Sequence, residues 1–254
     1  MSRFDIADLT QDAFLGGRLT LFQPCKGYRA GIDPVLLAAS VPARVGQSVL
    51  ELGCGAGAAI LCLATRVPGL DLTGVELQSE YADLARRNGR ENNIDLNVVE
   101  ADLTALPDDL RQLQFDHIVA NPPYFRVGAH SVAKDVGRQI ALGGDTALGD
   151  WIEVAARRLA PKGYVHIIQR TERLPEMLVA CSGRLGSIEV LPFSARAGRE
   201  PELLIVRARK NGRAGFRLRA PRILHSGATH VSGKSGYCAD IQAVLRDGAG
   251  LEWG

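Results

Sequence analysis

Apolar and polar positions along this chain alternate between short strand-like runs and longer helical patterns. The first strong apolar run, Ser48–Leu52, ends in a glycine-rich loop that opens a helical pattern over Ala58–Arg66. The periodicity predicts further strands over 70–75, 96–100, 115–120, 164–169, 187–191 and 203–209, with helices over 79–92, 148–159 and 174–181 between them. Upstream, Asp33-Pro34 before Val35-Leu36-Leu37-Ala38-Ala39 reads as a helix start near residue 33, because proline is preformed for the first turn. Strands alternating with helices imply a parallel sheet covered on both faces, so the expected class is α/β. Pro161-Lys162-Gly163 is expected to be a turn, and the Gly-rich, charged stretch 125–147 is long enough to be expected as a mobile substrate loop.

Two loops carry candidate chemistry. Leu50-Glu51-Leu52-Gly53-Cys54-Gly55-Ala56-Gly57 runs from strand to helix, a place where glycines let backbone approach a ligand that side chains would block. Ala120-Asn121-Pro122-Pro123-Tyr124 ends another apolar strand, and the carboxyl ends of neighbouring parallel strands share one crevice. Proline has no N–H, so Pro122 and Pro123 offer acceptors and no competing donor, and residues before proline are held extended. The Asn121 carboxamide oxygen and the Pro122 carbonyl can each accept one hydrogen of a planar NH2 group, which draws the nitrogen lone pair out of conjugation. Tyr124 supplies a face on which a base can stack, a contact worth roughly 1–3 kcal/mol. The bland reading of Asn-Pro-Pro-Tyr is an ordinary turn after a strand. Its position downstream of the glycine loop favours the clamp.

Glu-x-Gly-x-Gly-x-Gly over 51–57 resembles the first motif of class I S-adenosylmethionine methyltransferases. Asn121-Pro122-Pro123-Tyr124 resembles the catalytic motif of those that methylate amino groups on adenine, guanine or glutamine. The resemblance implies a Rossmann-like domain with a seven-stranded, mostly parallel sheet in the order 3-2-1-4-5-7-6 and an antiparallel edge. It also implies S-adenosylmethionine as cofactor. Glu51, Gly53, Gly55 and Gly57 would surround its methionine part, Glu76 would bond the ribose hydroxyls, and Asp102 would bond the cofactor's adenine. Asn121, Pro122, Pro123 and Tyr124 would be catalytic. The rival for the first loop is a dinucleotide fold, since Gly53, Gly55 and Ala58 satisfy G-x-G-x-x-G/A with Glu76 as the ribose acid. That rival leaves Glu51, Asp102 and the diproline clamp unexplained.

The segment from Phe22-Gln23-Pro24 through Lys26-Gly27-Tyr28-Arg29-Ala30-Gly31-Ile32-Asp33-Pro34 to Leu37 resembles the opening of bacterial tRNA-valine adenine N6-methyltransferases, although those often have Asp-Gly where this chain has Asp33-Pro34. The implied function is methylation of the N6 amine of an adenine in RNA, with tRNA first. The alternatives are a glutamine N5-methyltransferase of release factors, an rRNA guanine-N2 methyltransferase, and a nucleic-acid-binding module on an inactive methyltransferase fold. Release-factor enzymes place a sizeable helical domain before the glycine loop, and only about fifty residues precede Glu51 here. Gln23, Arg29 and Asp33 are further candidates to reach cofactor or substrate. The expected organisation is an N-terminal extension (1–45), the methyltransferase domain (46–210) and a C-terminal segment (211–254) packed on or extending it.

Composition narrows the class. The chain of 254 residues has no apolar stretch near the 18 residues that cross a membrane, and its start lacks a signal-peptide profile, so a cytoplasmic protein is expected. Five cysteines without a C-x-x-C pair and five histidines without ligand spacing predict neither disulfide nor metal. Net charge is +2, but from Arg184 to Arg222 ten Lys or Arg face three acids. That stretch is expected to be a footprint for RNA phosphates, with solvated edge strands as the bland reading.

Overall fold

A computed structural model describes residues 4–124, 146–227 and 236–253. Its centre is a sheet of β3 (Ser48–Leu52), β4 (Asp71–Glu76), β5 (Asn97–Glu100), β6 (Phe115–Ala120), β7 (Leu159–Arg170), β8 (Gly186–Ser194) and β9 (Pro201–Arg209). The spatial order is β5-β4-β3-β6-β7-β9-β8, which is the expected 3-2-1-4-5-7-6. β9 runs antiparallel between β7 and β8, so the reversed strand lies one position inside the edge. Two short strands, β10 (Arg217–Leu218) and β11 (Arg222–Ile223), pair parallel with β8 and bring the sheet to nine strands. Neither carries an apolar alternation long enough to be read from sequence.

β3 is buried along most of its length because sheet neighbours flank both edges and helices cover both faces. Alternate residues divide between two cores. Val49, Val119 and Ile168 join the layer built on α1 (Asp33–Ser40) and α2 (Ala58–Arg66). Leu50, Leu52, Ile118, Ala120 and Ile167 join the opposite layer, which includes Leu110 of α4 (Asp108–Gln112), Trp151 and Ile152 of α5 (Leu148–Arg158) and Met177 of α6 (Leu174–Cys181). α2 is apolar nearly all round because α1 covers the side that the sheet does not. α3 (Ser79–Glu91) keeps the usual one-sided pattern, burying Tyr81, Ala82, Leu84 and Ala85.

The expected Pro161-Lys162-Gly163 turn lies within β7. Lys162 adopts φ 70° there, and the register against β6 shifts between Phe115 and His117. The expected substrate loop falls almost wholly on residues 125–145, outside the described residues.

The N-terminal extension contains a hairpin of β1 (Leu9–Phe14) and β2 (Leu19–Pro24). Two asparagines on α3 fasten it. Asn88 Oδ1 accepts Phe22 N–H at 2.8 Å, while its amide donates to Phe22 O and to Ala56 O in the glycine loop. Asn92, one turn on, makes the same paired contact with Thr20 N–H and carbonyl. The C-terminal end closes over α1. Leu251 N–H donates to Ala39 O at 2.8 Å and Trp253 Nε1 to Ser40 O at 2.9 Å, satisfying carbonyls that a helix end leaves open. Among the described residues no helix is long and apolar enough to cross a membrane, and no three His, Cys, Asp or Glu are grouped to hold a metal ion.

Candidate active site

The glycine loop sits at the carboxyl end of β3 and opens onto a cavity of about 1080 Å³. Gly53, Gly55 and Gly57 take φ of 63°, 54° and 83°, conformations that favour glycine. A Cβ on Gly53 would also stand 2.5 Å from the Trp151 ring. Gly53 and Gly55 line the cavity, with Ala56, Ala58 and Ala59 beside them. Gly57 lies outside the lining, against Leu61 and Ala85, where its left-handed backbone starts α2.

All three predicted acids line the cavity. Glu51 Oε2 accepts Ile60 N–H at 2.9 Å. Glu76 accepts Gly55 N–H at 2.8 Å and Gln78 N–H at 2.9 Å, which ties β4 to the glycine loop. Asp102 is exposed, and its Oδ1 caps the turn after β5 by accepting from Thr104 N–H and Oγ1 at 2.8 and 2.7 Å. Burial pushes the Glu51 carboxyl up to about 8, against the Ile60 N–H and helped by the Glu76 charge. Burial also raises Glu76, although three backbone N–H groups oppose it. Two buried carboxylates that have only backbone N–H partners among the described residues suit a ligand that brings positive charge, and S-adenosylmethionine carries a sulfonium and an ammonium. The residues present fit that cofactor.

Asn121, Pro122, Pro123 and Tyr124 continue from β6 and line the same cavity. The Asn121 amide donates to the Tyr28 hydroxyl at 3.2 Å, which leaves Asn121 Oδ1 as the acceptor. Gln169, fully buried at the end of β7, donates through Nε2 to Pro122 O at 3.2 Å. Its own Oε1 accepts Arg170 N–H at 2.9 Å, so the side chain is held at both ends. One lone pair of the Pro122 carbonyl is thereby occupied and its direction fixed, with the second available. The Tyr124 hydroxyl donates to Asp33 Oδ2 at 2.5 Å. Burial, then the Asp33 and Glu51 charges, raises the Tyr28 hydroxyl; burial and Asp33 likewise raise Tyr124. Both phenols stay protonated at neutral pH.

Tyr28 is fixed in turn by Tyr81 of α3, whose hydroxyl accepts Tyr28 N–H at 2.9 Å and donates to its carbonyl at 3.2 Å. Of the three N-terminal candidates, only Asp33 touches the clamp. Gln23 bridges Asp12 and Ala30 N–H, and Arg29 bonds Asp12, Thr10 and Pro24 O, so both hold the hairpin together while lining the cavity. Tyr28, Tyr81 and Gln169 did not stand out in the sequence. For Gln169 a signal existed: a lone polar residue closing an apolar strand beside the clamp strand.

The arginine-rich stretch does not form one face. β9 runs away from the cavity, since Leu203 pairs with Arg170 at the cavity end of β7 and Arg209 pairs with Tyr164 at the far end. Arg207 is mostly buried, bonded to Glu189 at 2.6 Å and stacked 4.0 Å over the Trp253 ring. Arg219 also bonds Glu189, and Arg222 reaches Asp240 and Glu252 O. These cations hold the β8 edge and the C-terminal segment. At the cavity end stand Arg196 and Arg199, between β8 and β9, and Arg170 at the end of β7.

Comparison with known proteins is consistent with this geometry. The family model described as Methyltransferase small domain matches residues 30–188. A Porphyromonas gingivalis protein described as a tRNA1(Val) (adenine(37)-N6)-methyltransferase is 31% identical over 204 residues, covering 76% of this chain and 79% of the relative. A solved structure of a predicted O-methyltransferase from Agrobacterium tumefaciens superposes with a TM-score of 0.69 at 27% identity, covering 86% of this chain and 98% of that one. The Thermus thermophilus 16S rRNA N2 G1207 methyltransferase, solved with AdoMet and guanosine, shares the fold at 21% identity and a TM-score of 0.56, over 80% of this chain and 50% of that one.

Proposed function

This chain belongs to the methyltransferase small domain family, and we propose that it transfers a methyl group from S-adenosylmethionine to the N6 amine of an adenine in RNA, with tRNA as the first substrate. The observation that carries the reading is the orientation of Asn121. With its NH2 engaged by Tyr28, its oxygen is the atom left to accept from a substrate amine. The second lone pair of Pro122 O accepts the other amine hydrogen, and the Tyr124 ring stacks the base. Gln169 and Asp33 hold these two groups in place.

The cofactor supplies a methyl group already activated by the positive charge on its sulfur. Glu51 would face the positive methionine end of that molecule, Glu76 would bond its ribose hydroxyls, and Asp102, with Oδ2 uncommitted, would bond its adenine. What remains for the protein is alignment of amine and methyl, which is worth a large share of the barrier when reacting atoms are held at near-attack distance. The methylated nitrogen is strongly acidic while cationic, so its proton passes to water without a dedicated base. A hydroxyl acceptor would differ, because its proton must leave before or during attack, and the clamp atoms Asn121 Oδ1 and Pro122 O are weak bases.

Adenine in tRNA is favoured over guanine or glutamine by the 31% identity to a relative with that described activity. Nucleosides from the tRNA of cells lacking this protein, quantified by mass spectrometry, test the reading. N6-methyladenosine should fall and return with the wild-type chain but not with Asn121→Ala. An unchanged level would refute it.

A further inference from the structure

Among the described residues that line the cavity is a buried cation, Arg173, that the proposed reaction leaves unused. Arg173 ends the short turn Thr171–Arg173, four residues beyond Gln169, and only 7% of it is exposed. It lines the cavity. Its Nε and Nη2 donate to Glu176 Oε2 and Oε1 at 2.9 and 3.2 Å, so the guanidinium plane is fixed by a carboxylate one turn along. Nη1, with two N–H groups, has no hydrogen-bond partner among the described residues. It is also absent from the polar atoms sealed away from solvent.

An arginine confined this closely loses the hydration that an exposed one keeps, and two unused donors at a cavity wall then favour an anion with paired oxygens. The other described guanidinium lining the cavity, Arg29, is committed to Asp12, Thr10 and Pro24 O. Among the described residues the remaining charged lining is acidic, which suits the cofactor and disfavours phosphate away from Arg173. A nucleotide whose base enters the Asn121–Tyr124 clamp must bring its phosphodiesters with it. Gln169 links the segment that leads to Arg173 directly to the Pro122 carbonyl.

We propose that Arg173, held by Glu176, is the subsite for a phosphodiester flanking the target nucleotide. This rests on the RNA reading above. The subsite makes a base within an RNA chain a better substrate than the free nucleoside, and it gives the cavity a polarity: acids toward the cofactor, the buried guanidinium toward the backbone.

Methyl transfer to a short RNA with one methylphosphonate placed 5′ or 3′ of the target adenosine tests the subsite. With wild-type protein, one of the two substitutions should lower kcat/KM by about 10- to 100-fold, the range for a lost hydrogen bond between charged groups. Arg173→Gln should lose a similar factor on ordinary RNA and be indifferent to that same methylphosphonate. Its affinity for S-adenosylmethionine should stay at the wild-type value. If Arg173→Gln does not fold, Arg173→Lys provides the same comparison, with a smaller loss and the same reduced sensitivity. Losses that multiply, so that the variant is as sensitive as wild type to each methylphosphonate, would overturn the subsite while leaving the RNA reading intact. Wild-type protein that methylates no RNA at all would remove the reading itself.

Discussion

The Asn121 carboxamide and the Tyr28 hydroxyl lie 3.2 Å apart, with the amide as donor. This contact joins a loop at the end of a central strand to a segment nearly a hundred residues earlier in the chain, and it decides which end of the carboxamide is left for substrate. Tyr28 is itself held by the Tyr81 hydroxyl on both its N–H and its carbonyl. α3 thus positions, through Tyr28, the Asn121 side chain that it does not touch.

If that chain of contacts orients the acceptor, Tyr28→Phe should lower kcat by about 3- to 10-fold, the effect of one ordinary hydrogen bond. Asn121→Ala, which removes the acceptor, should cost about 10² to 10³. Calorimetry should find the S-adenosylmethionine affinity of both variants close to wild type. A Tyr28→Phe enzyme with weakened cofactor binding and normal turnover would place Tyr28 in the cofactor site instead.

Glu51 links pH to both stability and binding. Its folded value near 8 lies above that of the unfolded chain, so its contribution to stability is present below about 4.5 and is lost as pH rises through 8. Glu51→Gln can still accept the Ile60 N–H. Without cofactor, this variant should melt progressively above wild type as pH rises from 5 to 8, yet bind S-adenosylmethionine more weakly. For wild type, affinity should climb over the same interval as the carboxyl ionises. Thermal melts with and without cofactor across that range measure both, and parallel melting curves for the two proteins would contradict the assignment.

Two buried histidines act in the opposite direction. Burial lowers His117 to about 4 and His166 well below its ordinary value, with His166 surrounded by His117, Arg66, Arg207, Ser40 and the Trp253 ring. Both favour the neutral form, so the stability they contribute is present above about 6.5 and is lost as pH falls toward 4. His117→Gln should flatten that acid limb in denaturant titrations at pH 4.5 to 7. An unchanged limb would show that other groups set it.

The cations divide by location. Arg207→Ala should lower stability by about 1–3 kcal/mol, because Glu189 loses one of its two arginines in a poorly solvated place and Trp253 loses its stacked cation. Arg196→Ala with Arg199→Ala should cost little stability, since Arg196 bonds only the exposed Ser226 and Gly227 carbonyls at 3.0 and 2.9 Å, and should make RNA binding less steeply dependent on salt, as each lost phosphate contact removes a released counterion. Fluorescence anisotropy at several salt concentrations tests this. An unaltered slope in the double variant would exclude the cavity-end cations as phosphate contacts.

Most strands were legible because parallel strands buried on both faces carry long apolar runs and glycine loops punctuate them, whereas their order β5-β4-β3-β6-β7-β9-β8 was implied only by the family resemblance, which it matches. β10 and β11, two residues each, have no periodicity to detect. The hairpin was missed because α3 side chains satisfy its edge, with Asn88 and Asn92 spaced one helical turn apart acting as the missing strand. Within the site, the acids and the clamp could be read from motifs that stand at strand ends. Tyr28 could not, since it acts on a side chain distant in sequence, and Gln169 left only the weak signal of a polar residue closing an apolar strand. The arginine stretch misled for a related reason: sequence gives a count of charges, while strand direction decides which end of the sheet each one reaches.

The most direct measurement is transfer of labelled methyl from S-adenosylmethionine by the purified protein to unmodified bacterial tRNA, followed by digestion to nucleosides. Label should appear in N6-methyladenosine, and Asn121→Ala should abolish it while retaining cofactor binding. Label in N2-methylguanosine, or in a release-factor glutamine with tRNA left unmethylated, would contradict an adenine substrate.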